Sequence, residues 1–534
     1  MERLRLSEPA RPQLELGSPQ PPDRSRKSDA NPPLSTATTD HRVRYRGQAS
    51  IREAVSNPRT LLREVLAGLV VALALIPEAI SFSIIAGVDP KVGLYSSVIM
   101  AITIAVVGGR PAMISAATGA IALVVAPVAR EYGMDYLVAT VLLGGLFQIV
   151  LAALGVAKLM RFIPRSVMVG FVNSLAILIF MAQLPQLIDV PLAVYPLVAL
   201  GLAILVLLPR VTTAIPAPLV SIVAVTAIVL VFALNVPTVG DQGELPRSLP
   251  ELFIPNIPLT LETLRIIAPY ALGLALVGLM ESLMTAKLVD DITDTHSDKT
   301  RESWGQGVAN IASGLFGGMG GCAMIGQTMI NVKVSGARTR ISTLLAGVFL
   351  LILIVALSDV VATIPMAALV AVMIMVSVGT FDWHSVSPAT LRRMPRSETF
   401  VMAVTVAVVV ATHNLAIGVI VGVLTASVMF VRRVSHLFSV RRESDAETAR
   451  YFVDGQLLFA SSNDLTTAFE YTSDPDRVVI DLSRSHIWDA STVAALDAIE
   501  AKYERYGKTV EITGMNDFTN SFHARLTREL SGDS

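Results

Sequence analysis

The stretch Gly108-Gly109-Arg110-Pro111-Ala112-Met113-Ile114-Ser115-Ala116-Ala117-Thr118-Gly119 returns in altered form as Gly317-Gly318-Met319-Gly320-Gly321-Cys322-Ala323-Met324-Ile325-Gly326-Gln327-Thr328. Each opens with breakers and small residues that favour extended backbone. Each leads into an apolar stretch of helical character that is too short to cross a bilayer, which takes about 20 residues. The pattern predicts a strand-like entry to mid-membrane followed by a half-helix. Irregular backbone at that depth is tolerable only where it is buried in protein or lines a cavity.

The surrounding chain is that of a membrane protein. Hydrophobic residues make up 53% of the 534 and charged residues only 16%, against roughly 25% in a soluble domain; mean hydropathy is +0.61. With 42 basic and 43 acidic residues the formal net charge is −1, so no bulk field attracts nucleic acid. Cys322 is the one cysteine, which excludes an internal disulfide and a multi-cysteine metal cluster. Residues 1–50 are polar and rich in proline (Pro19, Pro21, Pro22, Pro32, Pro33). They lack the apolar run of a signal peptide and are expected to be a disordered tail. Residues 51–440 are expected to be the membrane domain, and 441–534 a small soluble domain.

Apolar segments are expected at 66–86, 92–107, 113–129, 135–157, 164–183, 191–208, 216–237, 263–289, 303–316, 323–334, 340–357, 362–380, 397–411 and 413–434, about 14 in all. With the N-terminus in the cytoplasm, the groups Lys158/Arg161/Arg165, Lys333/Arg338/Arg340, Arg392/Arg393/Arg396 and Arg432/Arg433 fall inside. The loop with Asp241, Glu244 and Glu251 falls outside, a consistent positive-inside pattern. An even span count puts the C-terminal domain in the cytoplasm too.

The membrane zone repeats itself. Glu78 and Glu281 lie 203 positions apart, each inside a span, and Ile163-Pro164 and Ile364-Pro365 lie 201 apart. Seven spans per half is odd, so the second half inserts upside down, a transporter architecture. The two half-helices then start near the same depth and aim their N-termini at each other. Exposed N–H groups and the positive ends of two helix dipoles converge there and suit a small anion. The competing reading is that the glycines only let helices pack closely.

Glu78 and Glu281 are intramembrane carboxylates. An ionised one at the bilayer centre costs at least about 2.5–3.5 kcal/mol, so such residues usually face a cavity and mark an ion pathway. Glu281 and Thr285 share a helix face. Either carboxyl is a candidate proton carrier; the alternative is a neutral acid that glues helices together.

The run Ile76-Pro77-Glu78-Ala79 through Ile85-Ala86-Gly87-Val88-Asp89-Pro90-Lys91-Val92-Gly93-Leu94-Tyr95-Ser96-Ser97 resembles the signature of the SulP/SLC26 anion transporters. The glycine-rich segment ending in Asn331-Val332-Lys333 and the C-terminal domain strengthen the resemblance, which covers about residues 50–534. It implies an α-helical membrane protein of 14 spans in two inverted seven-span repeats, with core and gate domains, a cytoplasmic C-terminal STAS domain and a homodimeric assembly. It implies secondary transport of a small inorganic or organic anion (sulfate, bicarbonate, chloride or dicarboxylate class), with no enzyme activity, cofactor or metal. The implied substrate site takes in Thr118 and the backbone around Ala323, Met324, Ile325 and Gly326, and the implied coupling position is Glu281, with Thr285 one turn on. This chain departs from the pattern with Glu78 for a common Gln, Val92 for a common Tyr, Ile325 for a hydroxyl and Glu281 for Asp. The last two lean away from sodium and toward proton-coupled symport by alternating access. Sodium coupling and exchange remain the alternatives.

In the C-terminal domain Val478–Ser483 reads as a buried strand, Val493–Tyr503 as a helix capped by Asp489 or Ser491, and Thr509–Ile512 as a second strand. The resemblance makes Ser491 a candidate regulatory phosphorylation site; its ordinary reading is a cap. Three rivals to transport of anions stand: a nucleobase permease of the same fold, an intramembrane enzyme and a membrane-anchored signalling protein. No HExxH and no Gly-x-Ser-Gly motif supports the enzyme.

Overall fold

A computed structural model describes residues 55–515 apart from 156–157, 159–162, 213–215, 259 and 435–437. The tail expected at 1–50 lies outside these residues. Fourteen helices occupy the expected spans among the described residues: α1 (Pro58–Ala86), α2 (Pro90–Val107), α3 (Gly119–Tyr132), α4 (Met134–Ala153), α5 (Arg165–Met181), α6 (Val194–Val211), α7 (Ala217–Val231), α8 (Leu261–Thr293), α9 (Lys299–Leu315), α10 (Ile325–Met329), α11 (Arg340–Ala356), α12 (Met366–Thr380), α13 (Arg396–Thr412) and α14 (Leu415–Val434). Two short helices, Ser358–Ala362 and Pro388–Arg393, sit in connections.

α1 begins well before the apolar run at Leu66. Asn57 caps it by accepting from Arg59 N at 3.1 Å, and Pro58 at the first position is preset for a helix. Its polar first turns are not solvated throughout: Glu64 is buried and accepts from the backbone amides of Arg338 (2.8 Å) and Thr339 (3.2 Å). That internal partnership lets the helix run past the hydrophobic stretch.

The packing has the two-fold character that the repeat predicts. Exchange of the halves turns the α2–α11 contact into α9–α4, α1–α11 into α8–α4, α5–α13 into α12–α6, and α5–α14 into α12–α7. Core helices α1–α4 and α8–α11 therefore pack as one set, and α5–α7 and α12–α14 as another. With lipid in place of water, the drive between helices is close packing rather than hydrophobic transfer. Gly145 of α4 and Gly307 of α9 supply it: a Cβ on either would fall 2.7 or 2.6 Å from the other's carbonyl oxygen.

The connection between α7 and α8 bridges both sets. Val239 N donates to Ile364 O (2.9 Å) and Met366 N to Pro237 O (2.9 Å) on the α12 side. Lys91 pairs with Glu244, and Tyr95 Oη donates to Ser248 O (2.8 Å), on the α2 side.

The C-terminal unit is a four-stranded sheet of order β3-β4-β5-β6 (β3 Phe438–Ser444, β4 Thr448–Leu457, β5 Arg477–Ile487, β6 Thr509–Thr513); the two-residue strands β1 (Ser115–Ala116) and β2 (Cys322–Ala323) lie in the membrane domain. β3 and β4 form an antiparallel hairpin; β4–β5 and β5–β6 are parallel, crossed by α15 (Ser462–Thr467) and α16 (Ala490–Arg505). The expected boundary at 440/441 falls inside β3. Asp489 caps α16, accepting from Thr492 N at 3.0 Å, so the cap reading of Ser491 is corrected: Ser491 lies in the first turn with its side chain exposed. Asp474 organises the interior, accepting from Tyr451 Oη (2.7 Å) and pairing with Arg442 (2.7 Å). Burial first, and the Asp474 contact next, push the Tyr503 phenol up.

Candidate functional site at the strand crossing

Both quoted stretches become extended where the pattern predicts it. Ser115–Ala116 is β1 and Cys322–Ala323 is β2. They pair antiparallel, Ser115 with Ala323 and Ala116 with Cys322. Met324 N donates to Ile114 O (2.8 Å) and Ile114 N to Thr328 Oγ1 (3.0 Å), extending the crossing at the Ile114 end. Since β1 leads into α3 and β2 into α10, the two helices leave the crossing in opposite directions and present their N-terminal ends to it.

The core helices hold this irregular backbone in place. Asn310 of α9 accepts from Gly321 N at 2.8 Å and donates to Gly321 O at 3.1 Å. Ser282 of α8 accepts from Ala323 N (3.0 Å), and Ser97 of α2 from Ala117 N (3.2 Å). Glu302, fully buried on α9, accepts from Gly109 N (2.7 Å) and Arg110 N (3.0 Å) where the chain turns toward β1. Buried backbone groups are thereby paired as they must be at this depth.

The expected site residues divide. Thr118 caps α3, accepting from Ile121 N at 3.3 Å. Its Oγ1 is 3.1 Å from Cys322 Sγ, and Cys322 Sγ donates to Glu281 Oε2 at 2.9 Å. A hydroxyl, a thiol and a carboxyl thus form one chain at the crossing, all buried. Met324 leaves α10 without a side-chain cap, and Gly326 is exposed with no atom within 4 Å of a built Cβ. Ala323 and Met324 are buried, and Ile325 is half-buried. Glu78 is half-buried on α1, and its side-chain partner is Gln327 of α10. Thr285 does not join them: its hydroxyl is spent on Glu281 O of its own helix (2.8 Å). Ser491 lies in the C-terminal unit.

α10 is shorter than the expected segment 323–334: five residues of α-helix pass into a π-helical turn, Ile330–Val334. Polar residues that the sequence reading passed over sit in the quoted stretches or beside a chosen residue: Cys322, Gln327 and Ser282. The signal was their polarity inside an apolar segment.

Two cavities among the described residues lie away from the crossing. One of about 490 Å³ borders Ser81 of α1, Leu123 and Arg130 of α3, Leu178 of α5 and Met366 of α12. It is separated from the α3 start by Phe82 and Ile179, which lie against Gly119. A larger one, about 1130 Å³, sits under the α7–α8 connection among Asp89, Lys91, Tyr95, Glu244 and Arg247, away from Glu281.

A helical membrane protein whose halves repeat in inverted order, with two broken helices meeting at a polar crossing, has the architecture of a membrane transporter. The sulfate permease family model matches residues 61–196 and 188–405, and the chain belongs to that family. It is therefore a multi-pass membrane transporter of the anion class, not an enzyme. A protein of Bacillus subtilis (strain 168) that bears the name "Putative sulfate transporter YbaR" is 54% identical over 464 residues, 87% of this chain and 96% of that protein. The transmembrane domain of a cyanobacterium bicarbonate transporter, BicA, is 26% identical in a solved structure with TM-score 0.57, covering 69% of this chain and 98% of that one. The murine Solute Carrier 26 family member A9 anion transporter, in the inward-facing state, shares the fold at 16% identity with TM-score 0.75, covering 87% of each chain. The fold is thus a helical membrane domain followed by a small α/β unit.

Proposed function

We propose that the chain carries a small oxyanion of the sulfate class into the cell by proton-coupled symport and alternating access. The observation that carries the reading is the antiparallel β1–β2 crossing, which aims the starts of α3 and α10 at one point. The uncapped amides of Ile325, Gly326 and Gln327 and the Thr118 hydroxyl supply donors there, and the open space at Gly326 leaves room for an anion. Sulfate leads among anions because the 54% identical YbaR bears that name; bicarbonate stands second because BicA shares the domain.

The coupling group is Glu281, with Glu78 as the second candidate. Both carboxyls lie deep in apolar spans, where the neutral acid is far cheaper than the ion. Protonation removes a negative charge next to the anion, so proton and anion support each other's binding by the same factor. Phe82 and Ile179 packed on Gly119, together with exposed Gly326, support an inward-facing state. The protein sits in the plasma membrane with its N-terminus and the C-terminal unit in the cytoplasm, as the basic loops support, and works as a homodimer. Exposed Ser491 in the first turn of α16 is open to regulatory phosphorylation, where phosphate would meet a helix N-terminus.

Flux into proteoliposomes tests the reading. Sulfate, bicarbonate, chloride and oxalate are offered with an imposed proton or sodium gradient. Concentrative sulfate uptake driven by protons alone is the expected result. Uptake that follows only sodium, or only a counter-anion, would refute symport with protons.

A further inference from the structure

Cys322 occupies a place that packing alone does not explain. Its sulfur bridges Glu281 Oε2 (2.9 Å) and Thr118 Oγ1 (3.1 Å), and it is fully buried. Each member of this chain has one proton to place or none. An ionised carboxylate only accepts, a thiol donates once and accepts weakly, and a hydroxyl donates once. Thr118 Oγ1 already accepts from Ile121 N. Its single proton therefore points either at Cys322 or at whatever occupies the crossing.

We infer that Cys322 is a positioning residue that relays the proton state of Glu281 to the donor direction of Thr118; this inference rests on the proposed coupling role of Glu281. With Glu281 ionised, the thiol donates to the carboxylate and its sulfur accepts from Thr118, which then turns only lone pairs toward the anion. With Glu281 protonated, the acid donates to the sulfur, the S–H turns to Thr118 Oγ1, and the Thr118 proton is released toward the anion. One proton enters from water onto the carboxyl; the other two only rotate, and no heavy-atom bond changes. Uptake of the coupling proton thereby converts a repellent hydroxyl into a donor, in addition to removing a charge.

The surroundings leave the relay uncontested. Ser282 and Thr285 on α8 and Gln148, which meets α8 at Gly278, carry no charge. α14 meets α8 through Ala416 near Gly273. The other carboxyl, Glu78 of α1, has its own partner in Gln327 of α10.

The chain has one cysteine, so its S–H stretching band in the infrared is a single assignable line. In the full-length purified protein the band should move between acid and alkaline pH, as the acceptor changes from hydroxyl to carboxylate. Glu281→Gln should abolish that movement. In proteoliposomes the apparent sulfate affinity should rise on acidification by about tenfold in the unaltered protein. Cys322→Ser, which keeps a donor and an acceptor, should stay within about twofold of that ratio. Cys322→Ala should cut it several-fold at unchanged expression. A stationary S–H band alongside proton-driven uptake, or a Cys322→Ala variant with the full pH response, would overturn the relay and leave Glu281 as carrier. Absence of any pH response in the unaltered protein would overturn both the relay and proton coupling.

Discussion

Gly321 lies so close beneath Ala116 that a Cβ built on it would stand 2.0 Å from the Ala116 carbonyl oxygen. Backbone touches backbone here, and no side chain can give way. Gly321→Ala should push β2 off β1 and misplace both half-helices. We expect a loss of about 1–3 kcal/mol or more in stability and transport below detection, read by thermal melting in detergent and by flux. Gly326→Ala is the control: open space surrounds that position, and the melting temperature should not move.

At the proposed anion site, Thr118→Val removes a hydroxyl donor and the α3 cap, and Gly326→Trp fills the approach to the α10 amides. Each should lower flux by about 10²-fold or more, the effect of losing one well-placed donor, with membrane expression intact. Normal flux in both variants would remove the anion site from the crossing.

Much of this was legible in the sequence, for a physical reason. Glycines and prolines beside short apolar runs have few places to go in a bilayer, so 108–119 and 317–328 announced the broken helices. The Glu78–Glu281 and Ile-Pro spacings announced the repeat. The connections among side chains were not legible. Nothing in the spacing of Thr118, Glu281 and Cys322, 204 positions from end to end, tells that one thiol bridges the other two. Thr285 shows the opposite error: helical spacing put it beside Glu281, but its hydroxyl turned back to its own helix. In the C-terminal unit β5, α16 and β6 carried apolar patterns that could be read. β3, exposed along most of its length, carried none.

Asp290 tests the charged cluster beneath the site. It accepts from Arg110 Nη1 at 2.9 Å and from Lys299 Nζ at 2.7 Å, and the Arg110 side chain is only 5% exposed. Asp290→Asn leaves that guanidinium buried without its counter-charge, a change that typically costs about 3–5 kcal/mol. Lower yield and a lower melting temperature are expected. Lys299→Ala should cost much less, since Lys299 is 31% exposed and rehydrates.

Asp474 tests the C-terminal unit in the same way. Asp474→Asn weakens its bonds to Tyr451, Tyr503 and Arg442. Arg442 is one-third exposed, so it recovers solvent, and the cost should be about 1–3 kcal/mol. Amide hydrogen exchange in the full-length protein should quicken in β4 and α16 while α1–α14 keep their protection.

The two carboxylates should separate by substitution. Glu281→Gln fixes the neutral form at the crossing: the negative charge never returns, so the anion still binds, but no proton is carried. Accumulation driven by an acid exterior should vanish, while exchange of labelled for unlabelled sulfate persists. The pH response follows in sign: uptake rises as pH falls in the unaltered protein, because the protonated acid favours the anion, and becomes flat in Glu281→Gln. Glu78→Gln puts in place of the carboxyl an amide whose oxygen can still accept from Gln327, so it should retain proton-driven accumulation within a few-fold. Counterflow and gradient-driven uptake measured on the same vesicles decide the matter. If Glu281→Gln still concentrates sulfate with protons as the sole driving ion while Glu78→Gln does not, the coupling role passes to Glu78.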